Sequence, residues 1–102
     1  MEKYNKNVVG MDVHKETIVI AVLLSRMERV TETYSFENQP KAIEKMVRRM
    51  VERGSTEFVY EAGPCGYEVQ RQITRMGHPC VVIAPGLIPV RPGDRVKTDR
   101  RD

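Results

Sequence analysis

The stretch from Asn38 to Gly54 limits the possible folds more than any other part of this chain. Ile43, Met46, Val47, Met50 and Val51 recur at spacings of three and four, which places them on one stripe of a helix. Arg48, Arg49, Glu52 and Arg53 fall off that stripe. Asn38 suits an N-cap, Pro40 the first turn and Gly54 the stop. A helix with a single apolar stripe needs something to lie on. Each of those side chains contributes roughly 1.5–3 kcal/mol if it is buried.

The partner surface is a sheet. Residues 7–13 alternate well enough for a strand, with Gly10 on the same face as Asp12. His14-Lys15-Glu16 makes a short turn into 17–24, an apolar run rich in β-branched residues. A third strand is expected at 28–36, so the first three form an antiparallel meander. After the helix come a strand at 57–61 and the turn Ala62-Gly63-Pro64-Cys65-Gly66. A second helix runs through Tyr67, Val69, Ile73 and Met76 to Gly77, and a fifth strand occupies 80–84. The order β-β-β-α-β-α-β implies an α/β fold with a mixed five-stranded sheet, strands four and five parallel to strand one. This is the order of the RNase H-like fold. From residue 85 the composition turns to Pro and Gly, and Thr98 suits the N-cap of a truncated final helix starting at Asp99. The expected division is a core over 1–88 and a Pro/Gly-rich basic loop leading to an acidic helix over 89–102. Two complete helices leave one sheet face poorly covered.

The chain has 102 residues, which suits one domain, and 40% hydrophobic with 30% charged residues suits a soluble globular one. The longest apolar run, 18–24, is far too short to span a bilayer, and no secretory leader is visible. A cytoplasmic protein is expected. Cys65 and Cys80 form no CxxC pair and have no histidine at finger spacing, which argues against zinc. Cys80 reads as a small core residue. Residues 89–102 carry five basic and three acidic residues, a pattern that fits a phosphate-bearing partner or simply a solvated terminus.

Four acids stand out. Asp12 ends the first strand, Glu61 ends the fourth, and Asp99 and Asp102 lie three apart, on one face of the expected final helix. With strands one and four adjacent, Asp12 and Glu61 emerge side by side. Clustered carboxylates suit hard divalent cations, and a two-metal site cleaves phosphodiesters. Each acid also has an ordinary reading. Asp12 can accept hydrogen bonds from its turn, Glu61 can pair with Arg or Lys, and Asp99 can complement the helix dipole. Convergence is what separates the two.

Three blocks then carry a resemblance to a known family: Gly10-Met11-Asp12-Val13-His14-Lys15, Tyr60-Glu61-Ala62-Gly63-Pro64-Cys65-Gly66-Tyr67, and Lys97-Thr98-Asp99-Arg100-Arg101-Asp102. In this order they resemble the motifs of the DEDD transposases of bacterial and archaeal insertion sequences (the "one-ten" group). The N-terminal domain of that family is similar to the Holliday-junction resolvase RuvC. The resemblance implies that Asp12, Glu61, Asp99 and Asp102 form a catalytic tetrad holding Mg2+ or Mn2+. It implies DNA as substrate, a guide RNA in some members and a homo-oligomer in the full-length protein. Lys15, Arg91, Arg95, Lys97, Arg100 and Arg101 are the candidate nucleic-acid contacts. Family members carry a further domain with a nucleophilic serine, and Ser25, Ser35 and Ser55 match no such motif. The chain thus looks like the N-terminal piece of a longer protein, with a loosely held end and little cleavage activity of its own.

Two other classes compete. A non-catalytic nucleic-acid binding module would use the basic tail alone. An actin-like ATPase or sugar kinase also places an Asp before its first turn, but such turns use glycine to approach phosphate, and His14-Lys15-Glu16 has none.

Overall fold

A computed structural model describes residues 6–25 and 29–84. The strands are β1 (Asn7–Val13), β2 (Thr17–Leu23), β3 (Glu32–Glu37), β4 (Thr56–Glu61) and β5 (Cys80–Ile83). The helices are α1 (Pro40–Glu52), between β3 and β4, and α2 (Glu68–Arg75), between β4 and β5. They form one mixed sheet of order β3-β2-β1-β4-β5. β1 pairs antiparallel with β2 and parallel with β4, and β4 pairs parallel with β5. The expected α/β architecture is therefore present, with β1 at the centre. The expected segment 89–102 lies outside the described residues.

Alternation divides the sheet sharply. Val9 and Met11 of β1, Ile18, Ile20 and Val22 of β2, Phe58 and Tyr60 of β4, and Cys80 of β5 all enter one buried cluster. Ile43, Met46, Val47 and Met50 of α1 complete it with Val69 and Ile73 of α2, so both helices cover the same face. Gln72 Nε2 donates to Pro40 O at 2.8 Å and joins the helices directly. The opposite face presents Val8, Val19, Ala21, Leu23, Val59 and Ile83, half-buried, with Val81 exposed. Among the described residues no helix covers it.

Local chemistry corrects several expected boundaries. α1 is capped by Gln39, which makes no side-chain cap bond, not by Asn38. Asn38 instead donates through Nδ2 to His14 O at 2.8 Å and through its backbone to Glu16 O at 3.0 Å. It ties β3 to the β1–β2 turn, and that role displaces the cap. β3 begins at Glu32, later than expected, because Thr31 bonds back to Val22 O through both its backbone nitrogen and Oγ1. Tyr67 is the N-cap of α2 and stands outside the helix. Asn7 is buried, and its Oδ1 accepts from Ser25 N at 2.6 Å while its own N–H donates to Ser55 O at 2.8 Å. Through its side chain and backbone together, this first residue of β1 joins three segments.

At the β3 edge, Arg53 grips Glu32 with two hydrogen bonds of 2.8 and 2.7 Å, and Tyr34 Oη donates to Glu32 at 2.6 Å. The Arg53 bonds, and then the Tyr34 bond, hold the Glu32 carboxyl at about 2, well below its usual 4.5. The unfolded chain takes up this proton first as pH falls. The contribution is therefore complete above the ordinary carboxylate range and is lost as pH drops toward 2. Urea denaturation over that window is expected to show a decline that Glu32→Gln flattens. The effect is modest and salt-sensitive, because water reaches the pair.

Candidate metal centre

β1 and β4 set the geometry of the acids. Gly10 pairs with Val59 and Met11 with Tyr60, so the next residue of each strand, Asp12 and Glu61, follows in the same parallel register. Met11 and Tyr60 point into the core. Their successors therefore share the opposite face, which no described helix covers, on strands about 4.8 Å apart. Asp12 and Glu61 both line a shallow depression of about 380 Å³, with Gly10, Val19, Ala21, Val59 and Ile83 as its floor and walls. A Cβ at Gly10 would meet nothing within 4 Å. Glycine there leaves the floor open beside Asp12.

The surroundings keep these carboxylates available. Asp12 is largely exposed, and its Oδ2 lies 3.1 Å from Nε2 of the equally accessible His14. A pair so open to water is worth about 0–1 kcal/mol. The hairpin that carries His14 is closed by its N–H donating to Thr17 O at 2.9 Å, and Lys15 is exposed on the same turn. Glu61 sits beside Ile83 of β5, and Ala62 N donates to Ile83 O at 2.8 Å, which holds the strand end in place. Hard oxygen donors of this kind suit Mg2+ or Mn2+. Among the described residues no group of three or more His, Cys, Asp or Glu side chains is placed to hold a metal ion. Asp12 and Glu61 share one face and one depression. Asp99 and Asp102 lie outside the described residues, as do Arg91, Arg95, Lys97, Arg100 and Arg101.

A larger groove, about 700 Å³, runs between β3 and α1 over Ile20, Phe36, Met46 and Met50. It lies on the helix-bearing side and includes neither acid. Cys65 and Cys80 are both free thiols, and burial pushes Cys80 up to about 11, as an inert core residue requires. No described helix is long and apolar enough to cross a membrane.

Two residues near the acids make contacts that the sequence pattern did not indicate. His14 reads there as an ordinary turn residue, yet it contacts Asp12. Tyr60 reads as a strand residue, yet its hydroxyl joins the turn after Glu61 to α2. The available signal for Tyr60 was a helix start with no Ser, Thr, Asp or Asn at its cap.

Comparison with known proteins agrees with the motif resemblance. The chain is 39% identical over 95 residues to the transposase for insertion sequence element IS1533 of Leptospira borgpetersenii, covering 92% of this chain and 28% of that protein. It is 43% identical over 101 residues to the putative transposase y4qE of Sinorhizobium fredii, covering 97% and 26%. No protein-family profile matches. Among solved structures, the Aquifex aeolicus Ppx/GppA phosphatase in its type II variant aligns with a TM-score of 0.43 at 11% identity, over 78% of this chain and 36% of that one. Another structure of the Aquifex aeolicus Ppx/GppA family member aligns with a TM-score of 0.44 at 13% identity, over 78% and 35%. The chain spans about a quarter of the length of the curated relatives it matches, and over that span it is similar to insertion-sequence transposases.

Proposed function

We propose that this chain is the RNase H-like, RuvC-like catalytic domain of a DEDD-type transposase. In the full-length protein it takes part in metal-dependent cleavage and transfer of DNA strands during site-specific recombination of an insertion sequence. The observation that supports this reading most is the placement of Asp12 and Glu61. They stand on one face, at the carboxyl ends of adjacent parallel strands, over one depression.

Asp12, on the central strand, and Glu61 beside it would hold the cations, with Asp99 and Asp102 completing the shell. When bound, such ions activate a water or hydroxyl and stabilise the leaving oxygen of a phosphodiester. The chain's own tasks are to fix the carboxylates and to hold the DNA strand over the open floor at Gly10. Lys15 and the basic residues of the 89–102 segment would supply phosphate contacts whose strength falls with salt. A guide RNA and a homo-oligomer belong to the same proposal for the whole protein, acting in a prokaryotic cytoplasm.

Glu61→Gln in the full-length protein is the direct test. Mn2+ affinity is expected to fall at least about tenfold, and DNA nicking that EDTA abolishes in the parent is expected to vanish. Unchanged Mn2+ affinity with DNA binding retained would leave a binding module without chemistry. Saturable ATP binding by calorimetry would instead point to the nucleotide-binding class.

A further inference from the structure

The start of α2 carries a cap that does not come from its own N-cap residue. Tyr67 occupies that position and makes no side-chain cap bond. The first N–H groups of a helix lack intrahelical partners and need an acceptor. At Gln70, the third helical residue, the acceptor is the hydroxyl of Tyr60, at 3.2 Å. The same hydroxyl donates to Gly66 O at 3.1 Å. Tyr60 is only 3% exposed, and both bonds are part-buried.

These two bonds close a ring. The backbone leaves Tyr60, passes through Glu61, turns at 63–66 and comes back to the Tyr60 side chain at Gly66 and Gln70. Gly66 N donates to Gly63 O at 3.0 Å to close the turn, and Gly66 takes φ +70, which glycine adopts without strain. Because Tyr60 and Glu61 are consecutive in a strand, the hydroxyl fastens the ring on the helix side while Glu61 presents its carboxylate on the other.

We propose that Tyr60 is a positioning residue for Glu61, its hydroxyl fixing the crossover turn and hence the strand end from which Glu61 reaches the cation. This deepens the metal-centre reading and rests on it. It assigns Tyr60 no contact with substrate or metal.

The test uses the full-length protein with three variants, Tyr60→Phe, Asp12→Asn and Val47→Ala. Tyr60→Phe is expected to speed hydrogen exchange at Gln70 and through 62–67. It is also expected to weaken Mn2+ binding about tenfold and to lower kcat similarly, with KM for DNA changed by less than about twofold. Val47→Ala, a core change outside the site, serves as the comparison for general loss of stability and is expected to keep the parent Mn2+ affinity. Parent-like Mn2+ affinity in Tyr60→Phe, alongside a lowered Tm, would make the hydroxyl a purely structural cap and overturn the proposal. Absence of Asp12-dependent Mn2+ binding in the parent would overturn the metal centre and this proposal together. Should Tyr60→Phe fail to fold, Gly66→Ala decides. It strains the turn from its other end, and its Cβ meets nothing within 4 Å. Weakened Mn2+ binding there supports the proposal, and unchanged binding overturns it.

Discussion

Phe58→Ala is expected to cost about 3–5 kcal/mol of stability, most of what a chain this small possesses. Phe58 is fully buried and lies on β4, between Val9 of β1 and Cys80 of β5. Its ring belongs to the cluster that α1 and α2 close from above. Truncation leaves a cavity ringed by backbone-anchored strands, which cannot collapse into it. A loss of even about 3 kcal/mol corresponds to a Tm lower by at least about 12 °C for a domain of this size. The neighbouring residue supplies the comparison. Val59 is half-buried on the opposite face, and Val59→Ala is expected to cost less than about 1.5 kcal/mol. Thermal denaturation of both variants in this 102-residue chain checks the claim. Equal losses would mean that the core is not confined to the helix-bearing face.

That asymmetry explains what could be read from the residues alone. The α1 stripe is periodic over thirteen residues, so its type and buried face were set by spacing. The face shared by Asp12 and Glu61 follows from strict alternation once β1 and β4 are taken as parallel neighbours. The polar residues whose partners are remote were not legible. Asn38 has the composition of a cap, but the tertiary fold offered it the His14 carbonyl across 24 residues. Asn7 is tolerated buried at the start of β1 because its amide meets both Ser25 N and Arg53 O at the end of α1. The bonds of the Tyr60 hydroxyl were not legible because its partners lie on a turn and a helix whose orientation no local pattern encodes. Sequence periodicity reports burial; it is silent about which buried polar atom meets which.

The same division between faces leads to the largest functional effect. Asp12→Asn is expected to leave the fold intact while removing metal-dependent strand cleavage by at least about a hundredfold, since a cation's stabilisation of the reacting oxygens is worth several kcal/mol. The side chain is largely exposed and its described partner is the open pair with His14, so neutralising it takes little from the metal-free protein. In that state the loss of one negative charge from this face is expected to be neutral or slightly stabilising. With metal the sign reverses. A cation at about 100 times its dissociation constant stabilises the parent by roughly 2.7 kcal/mol, and the variant forfeits that gain. Thermal denaturation of the full-length protein with EDTA and with excess Mn2+ should therefore give two curves for the parent and nearly one for Asp12→Asn. DNA nicking should follow the Mn2+-induced shift, residue by residue, across Asp12→Asn and Glu61→Gln. A variant that keeps the Mn2+-induced rise in Tm but loses cleavage would remove Asp12 from the cation site and leave it some other role. One that keeps both would end the case for carboxylate-held metal on this face of the sheet.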